Sequence, residues 1–431
     1  MKYIEDEIPF ELPEGWAWAR LGNITDITTG RLDANAQVED GVYPFFTCGE
    51  EVLQTDTFAF DCDAVLLGGN NAVGDFKMHR FSGKFNAYQR VYVITAYALL
   101  DTDYIYNHIQ YYLPMLKEMS IGSQTRYLKL GMVTELLISI PPLNTQKFLS
   151  NKIKELLNYC DEIEANKSSL NDLLINTKSK ILDLAIRGQL VPQDPNDEPA
   201  SVLLERIRAE KEELIKQGKI KRDKKESIIF KGEDNSYYEK IGSEMRCIDS
   251  EIPFDLPESW IFTRLKHIGE VIGGGTPKTN IDEYWDGNIP WLTPADLSGY
   301  EDVYILTGAR TITELGLKSS SAQMLPKNSI LYSSRAPIGY IAIAANPIST
   351  NQGFKSVVPY NFAMSPYLYY CLKARTSDIV QRATGTTFKE ISGSEMAETI
   401  IPLPPIDEQQ RIFDKVTQLL EALSTIEKSL N

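Results

Sequence analysis

Positive charge is what this chain has too little of. Its 431 residues carry 44 Lys and Arg against 59 Asp and Glu, a formal net charge of −15. That sign excludes a general attraction to nucleic acid or to an acidic membrane surface, so any phosphate contact has to come from local basic groups. Histidine is scarcer still, with His79, His108 and His267 the only three and none at metal-ligand spacing. The five cysteines (Cys48, Cys62, Cys160, Cys247 and Cys371) are odd in number and form no CxxC pair. They exclude a disulfide framework and a zinc site and fit a reducing cytoplasm. The longest apolar run, residues 91–100, is half the length of a membrane span and is broken by Thr95. The opening MKYIEDEIPF lacks the basic start and apolar core of a secretory signal. The expected location is cytoplasmic, with no membrane partner.

Catalytic signatures are missing as well. There is no HExxH and no GxSxG. Gly273-Gly274-Gly275-Thr276 is followed by Pro277-Lys278 rather than by the Lys-Ser/Thr of a phosphate loop, and reads as a tight turn. The Pro141-Pro142 and Pro404-Pro405 sites lack the amide before and the aromatic after that an adenine methyltransferase loop would use. They read as the end of a strand and the start of a helix. The acidic pairs Asp61/Asp63 and Asp101/Asp103 read as solvated loop residues.

What is there is a repetition. Residues 7–21 read EIPFELPEGWAWARL and residues 251–265 read EIPFDLPESWIFTRL, an offset of 244. PPLNTQ at 141–146 returns as PPIDEQ at 404–409, an offset of 263. One module is therefore present twice, and the second copy carries 19 extra residues. Weaker matches lie inside: LLGGNNAVG (66–74) over LYSSRAPIG (331–339), FNAYQRVYV (85–93) over TNQGFKSVV (350–358), and GSQTRYL (122–128) over GTTFKEI (385–391). The polar positions diverge, which suits either one scaffold reading two ligands or plain drift after duplication.

Both modules, residues 1–143 and 251–405, alternate short β-branched and aromatic runs with turn signals, the texture of a mixed α/β domain. Strands are predicted over 64–67, 90–95, 329–333 and 338–344. Helices are predicted over 104–119, interrupted by Pro114, and over 366–376. Residues 144–225 form a helical spacer. Ile153, Cys160, Lys167, Leu174 and Ile181 fall seven apart, as do Leu156, Ile163, Leu170, Thr177 and Leu184. That is the seam of a coiled coil over nearly five heptads, with polar breaks at Lys167 and Thr177. The seam restarts in residues 406–431 with Val416, Leu423 and Leu430 alternating with Leu419 and Ile426. Two such helices most economically pair antiparallel, the alternative being that each packs on its own module. Their lengths, roughly 64 Å and roughly 37 Å, leave part of the first seam in need of another partner. After Gly188 comes a proline-rich elbow and a second helix opened by Pro199-Ala200-Ser201, then a basic run at 219–226. Residues 226–250 look like a polar linker.

Basic and amide side chains beside aromatics suit phosphate anchoring and base-edge reading. In the first module these are Lys77, Arg80, Lys84, Arg90, Arg126 and Lys129. In the second they are Arg335, Asn351, Gln352, Lys355, Arg382, Phe388 and Lys389.

The repeated ELPEGW/DLPESW openings, Thr350-Asn351-Gln352-Gly353-Phe354, the two Pro-Pro…Gln helix starts and the block 181–204 (ILDLAIRGQLVPQDPNDEPASVLL) resemble the DNA-specificity subunit of Type I restriction–modification enzymes. The resemblance spans the chain, and the last block is its most specific part. It implies two target recognition domains, each reading half of a split double-stranded DNA site. It implies two long helices forming an antiparallel coiled coil in a pseudo-two-fold scaffold of α+β/α class. It also implies two methyltransferase subunits as partners, carrying S-adenosylmethionine and methylating adenine, and restriction/translocase subunits using ATP and Mg2+. This chain would then be a non-catalytic subunit holding no cofactor and no metal. The family pattern is broken where the second spacer ends at Asn431 without a counterpart of RGQLVPQDP. It is broken again where Asn86-Ala87-Tyr88-Gln89 replaces Asn-Gln-Gly-Phe. Two other readings compete: a fused methyltransferase or nuclease, and a coiled-coil adaptor that binds only proteins.

Overall fold

The fold comes from a computed structural model that describes residues 7–218, 220, 222, 226–252, 254–385 and 389–430. Phe388 and parts of the 219–226 run lie outside the described residues. The chain divides into two compact units, Met1–Asn166 and Lys167–Asn431.

The first unit opens with β1 (Ala17–Arg20) and α1 (Leu21–Ile24), followed by β2 (Thr25–Thr29), β3 (Tyr43–Phe46) and β4 (Leu53–Thr55). Then come β5 (Phe60–Gly68), β6 (Asn70–Asn71), β7 (Met78–Ala87) and β8 (Val91–Ala96). The main sheet has the order β2-β8-β5-β7-β3-β4. In β5, Val65 and Leu67 point to one face and Ala64 and Leu66 to the other, the period-two alternation of a strand buried on both sides. The first face is covered by α2 (Thr102–Met119) through Ile105, Ile109 and Leu116. Pro114 sits inside α2 without ending it. The second face packs Phe46 and Phe85. β9 (Arg126–Tyr127), α3 (Leu130–Thr134) and β10 (Leu137–Ile140) close the unit, and β10 runs antiparallel beside β1.

Pro141-Pro142 follows β10 and launches α4 (Leu143–Ile186), 44 residues without a break and about 66 Å long. Gly188, at φ +68, turns the chain out of this helix; a Cβ there would stand 2.5 Å from Pro257 Cγ. Pro199 then caps α5 (Ala200–Lys216).

Residues 226–250, expected as a polar linker, instead fold. β11 (Ser227–Lys231), β12 (Tyr237–Ile241) and β13 (Glu244–Cys247) make an antiparallel meander. Turns at 232–235 and at Gly242 fit the strand spacing, but the charged composition hides the alternation. Glu239 of β12 is 1% exposed and accepts from Arg264 Nη2 at 2.7 Å and Arg246 Nη2 at 2.6 Å, so the meander is bonded to the second module.

The second module repeats the first. β14 (Ile261–Arg264) pairs antiparallel with β23 (Ile400–Leu403) as β1 does with β10. Between them lie β15 (Gly269–Gly273), β16 (Trp285–Leu292), β17 (Tyr304–Ile305), β18 (Arg310–Ile312) and α6 (Glu314–Lys318). β19 (Ile330–Ser334), β20 (Ile338–Ala344), β21 (Ser349–Thr350) and β22 (Lys355–Pro359) follow. The helices are α7 (Ser365–Ala374), α8 (Thr376–Arg382) and α9 (Gly393–Ala397). The main sheet is β15-β22-β19-β20-β17. A second sheet, β18-β16-β21, buries Trp285 and Trp291 around Ile312 and makes this corner larger than its counterpart. Gly274 and Gly275, expected in a tight turn, instead lie in an irregular stretch where other backbone passes close: a Cβ would fall 2.0 Å from the Asn351 carbonyl oxygen at Gly274 and 2.2 Å from the Ala322 amide nitrogen at Gly275.

The chain ends in α10 (Ile406–Leu430). Within the second unit it runs antiparallel to the C-terminal part of α4. Lys178 donates to Glu427 at 2.6 Å near one end, and Gln193, beyond α4, reaches Glu408 near the other. Ile181 and Ala185 share a core with Ile412 and Val416, while Leu419 and Leu423 lie half-buried against it. The 188–207 stretch is bolted to the module in the same place. Trp260 Nε1 donates to Glu408 Oε2 at 2.8 Å, the Ala200 amide donates to the Ser259 carbonyl at 2.9 Å, and Arg411 pairs with Asp197. No described helix is long and apolar enough to cross a membrane.

Candidate nucleic-acid interface

The duplication puts the same backbone rim on each module. In the first, β6 pairs with β9, Asn70 opposite Tyr127 and Asn71 opposite Arg126. The Leu128 amide donates to the Gly69 carbonyl at 2.8 Å, and the Gly69 amide donates to the Arg90 carbonyl at 2.7 Å. Gly69 is required here: a Cβ would lie 2.5 Å from the Arg90 oxygen. In the second module Arg335 stands opposite Glu390, and the Ile391 amide donates to the Ser334 carbonyl at 3.0 Å. Ser334, Arg335, Glu390 and Ile391 thus occupy the places of Gly69, Asn70, Tyr127 and Leu128.

This correspondence sorts the candidate residues. Arg126 and Lys389 are equivalent, so one basic position recurs on both rims, whereas the strand register puts Arg90 at the place of Gly353 and Lys355 at the place of Tyr92. Around that basic position the side chains differ: Asn70, Asn71 and Tyr127 on one rim, Arg335, Ala336 and Glu390 on the other. Glu390 Oε1 lies 3.3 Å from Lys355 Nζ, and Arg335 Nη1 stands 3.8 Å from Glu390 Oε2. Tyr127 puts no carboxylate at that place in the first module. Arg126 Nε is buried without a partner, while Nη2 reaches the Ser120 carbonyl at 3.5 Å. Arg90, Lys129 and Lys389 are exposed and form no ion pair among the described residues.

Other candidates are held by internal partners. Arg80 Nε donates to Asp103 Oδ1 at 2.7 Å and also grips Asp63, tying β7 to the start of α2. Asp63 and Asp103 are therefore ion-pair partners rather than the solvated loop residues expected, and Asp101 caps α2 by accepting from the Tyr104 amide at 2.9 Å. Lys77 lies 3.0 Å from Asp75 and 3.4 Å from Glu50. Arg382 donates to the Glu395 carbonyl at 2.6 Å and to Thr399 Oγ1 at 2.7 Å. Lys84 is exposed, its ammonium 4.7 Å from the Phe58 ring centre. Asn351 folds its own loop, accepting from the Gly353 amide at 2.8 Å, and Gln352 bonds Thr276. Asn86, which the repeat alignment sets over Asn351 but the strand register sets over Ser349, is buried and donates to the Thr57 carbonyl at 3.2 Å.

The coiled-coil seam is occupied over only part of its length. Leu174 and Ile181 are buried and Leu170 and Leu184 half-buried, whereas Ile153 is half-buried and Leu156, Cys160 and Ile163 are exposed. On α10, Val416 is buried and Ile426 exposed. No group of three or more His, Cys, Asp or Glu placed to hold a metal occurs among the described residues. A buried Ser-His contact, Ser139 Oγ to His108 Nε2 at 3.2 Å, involves a histidine that burial pushes down to about 4, and it sits in the core under Tyr104.

The domain description "Type I restriction modification DNA specificity domain" matches residues 13–171 and again 257–431. The MjaIX specificity subunit of Methanocaldococcus jannaschii is 49% identical over 159 residues, which is 36% of this chain and 37% of that relative. The EcoDI specificity subunit of Escherichia coli is 28% identical over 98% of this chain and 85% of its own length. Among solved structures, the HsdS subunit from Thermoanaerobacter tengcongensis aligns with a TM-score of 0.56 at 15% identity, covering 99% of this chain and 94% of that one. A chain from a type I R-M system solved for its complex assembly and conformational transition aligns with a TM-score of 0.58 at 17% identity, covering 98% and 94%.

Proposed function

Because the chain belongs to the Type I restriction–modification DNA-specificity family, we propose that its two modules read the two halves of a bipartite DNA target from the rims described above. One observation carries this reading. Arg126 and Lys389 are a basic position common to both modules, and the polar side chains beside it differ. Phosphate contacts position a reader without specifying sequence, whereas base-edge contacts specify it. The recurring cation is suited to the first task and the divergent Asn70, Asn71 and Tyr127 or Arg335 to the second. The net charge of −15 then stops being an obstacle, because attraction is confined to the rims and the rest of the surface repels non-target DNA.

In this reading the chain supplies sequence choice and spacing, and catalysis belongs to other subunits. Methyltransferase subunits carrying S-adenosylmethionine and restriction subunits using ATP and Mg2+ assemble on it, and the target base is adenine. The specificity-subunit names of its relatives and the matched family description support this assignment.

The test is an exchange of residues 17–137 for those of a related chain, followed by methylome mapping. One half of the methylated target should change and the other should stay. A change in both halves, or in neither, overturns the modular reading. The purified chain alone should neither methylate nor cut DNA, and methyl transfer without partners would overturn the non-catalytic assignment.

A further inference from the structure

The two rims carry different side chains on one backbone pattern. In the first module the Tyr127 amide donates to the Ile121 carbonyl at 2.8 Å, and the Ile121 amide returns the bond at 3.1 Å. In the second, the Glu390 amide donates to the Thr384 carbonyl at 2.8 Å, and the Thr384 amide returns it at 3.1 Å. With Asn70 opposite Tyr127 and Arg335 opposite Glu390, each rim is a three-stranded ribbon, 70–127–121 and 335–390–384, in the same register. Residues directly opposite each other share a face of such a ribbon. Asn70 and Arg335 therefore leave the backbone at the same place on the two modules, and both are half-buried.

Both places suit an uncharged ligand better than a phosphate. Arg335 Nη1 stands 3.8 Å from Glu390 Oε2, and Lys355 Nζ stands 3.3 Å from Glu390 Oε1, so the carboxylate is fixed between two cations. A phosphate on Arg335 would meet that carboxylate and be repelled, whereas the edge of a base would not. In the first module Asn70 and Tyr127 are uncharged side chains. The donors at this place are also uncommitted. Among the described residues neither the Arg335 guanidinium nor the Asn70 amide group makes a side-chain hydrogen bond, while Asn71 closes its own turn by accepting from the Val73 amide at 2.9 Å and the Asp75 amide at 3.2 Å. A guanidinium offers two parallel N–H donors, which fit the O6 and N7 acceptors of guanine. A primary amide offers one donor and one acceptor, which fit N7 and the N6 amine of adenine.

We propose that this one position selects a base in each half-site from the major groove: guanine through Arg335 in the second module and adenine through Asn70 in the first. The assignment rests on the DNA reading above and adds to it which residue chooses which base. The two modules differ here by a single exchange of side chain on a common ribbon, so the difference between the two half-sites at this step has a one-residue cause.

The test uses the full chain assembled with its methyltransferase subunits. Methylation mapping of Arg335→Ala should relax one G·C pair of the second half-site, its preference over the other pairs falling by about 5- to 150-fold, the range of one bidentate base contact. The first half-site should stay as it was, which also shows that the variant folds and assembles. Asn70→Ala should relax one A·T pair of the first half-site and spare the second. A further arm needs no variant. In 7-deazaguanine a carbon replaces N7, so placing it at each guanine of the second half-site in turn should weaken binding of the native complex about tenfold at one of them. 7-Deazaadenine should do the same at one adenine of the first half-site. The Arg335→Ala complex should bind the native and 7-deazaguanine targets alike. A second half-site without guanine on either strand, no response to the loss of N7, or relaxation at an A·T pair by Arg335→Ala would overturn the base assignment and leave the modular reading standing. Even weakening across all targets, with the salt slope lower by about one, would make Arg335 a phosphate anchor and overturn the assignment as well. Relaxation of the first half-site by Arg335→Ala would overturn both the assignment and the modular reading.

Discussion

Gln146 and Gln409 make the same bond in the two modules: each donates from Nε2 to the carbonyl of the proline five residues earlier, at 2.9 Å. Both are 1% exposed at the first turn of a long helix. They differ at the other end of the amide. Gln146 Oε1 accepts from the Asp101 amide at 2.9 Å, whereas Gln409 Oε1 is buried without a partner. Gln146→Leu strands a backbone donor and should cost about 2 kcal/mol, while Gln409→Leu removes an unsatisfied acceptor along with one bond and should cost about 1 kcal/mol or less. Denaturant unfolding of the full chain should show the larger midpoint shift for Gln146→Leu, and the reverse order would contradict the argument.

Arg80 and Arg126 should separate by assay. Arg80→Ala removes an ion-pair tie between β7 and α2, lowering the stability of the first unit by about 1 kcal/mol with the salt dependence of DNA binding unchanged. Arg126→Ala and Lys389→Ala should each weaken binding of the assembled complex evenly across targets and reduce the salt slope by about one. Titrations at several salt concentrations decide it. A slope that moves with Arg80 but not with Arg126 or Lys389 would mean the rim is misplaced.

Acid should loosen the two units in different windows. Burial pushes His108 down from 6.5 to about 4 in the fold. The unfolded chain therefore takes up the proton first as pH falls, and stability fully present above pH 6.5 is lost down to pH 4. Glu239 is raised by burial but carried down by its bonds from Arg264, Ser227 and Arg246, from 4.5 to about 2. Its contribution is present above pH 4.5 and is lost between there and 2. Each shift corresponds to about 3 kcal/mol at most. Hydrogen exchange at pH 5.5 should show weakened protection around α2 and intact protection in the β11–β13 meander. Loss in the meander first would show that the order is wrong.

Four residues inserted after Ser169 add about 6 Å and a little over one turn to α4. The site precedes Lys178 and its bond to Glu427, so the α10 contacts are kept. The gap between half-sites should grow by one or two base pairs, at roughly 3.4 Å each, with both half-sites unchanged. A methylome with the original gap would assign the spacing to the partner subunits.

The repeat was legible because the 244 and 263 offsets mark strands that still pair, β1 with β10 and β14 with β23. Their sequence is held by backbone register and burial common to both modules. The seam was legible for the same reason, though periodicity shows where apolar residues fall and not whether anything covers them, as Leu156 and Ile163 illustrate. The internal partners of Arg80 and Arg382 were not legible, because spacing along the chain does not reveal which carboxylates and carbonyls stand beside a cation in space. The meander was missed because Glu239 and Arg264 are charged residues turned inward, and composition counts them as surface. The recurrence of Arg126 with Lys389 was readable from the aligned repeats, whereas setting Arg90 over Lys355 was off by two residues, because the weak identity of that stretch left its register to be decided by strand pairing.

In each module the chain enters on one strand and leaves on its antiparallel neighbour, Ala17 opposite Ile140 and Ile261 opposite Leu403. Whatever lies between is a closed excursion from a fixed doorway. A foreign stretch can be grafted there provided its ends arrive side by side and it keeps the groups that dock on the long helices, such as the Asp101 amide that Gln146 accepts from and the Tyr370 ring beside Phe413. Heredity can therefore trade whole vocabularies through one splice at each doorway, and new target sequences can arise by shuffling rather than by slow point mutation of a working reader.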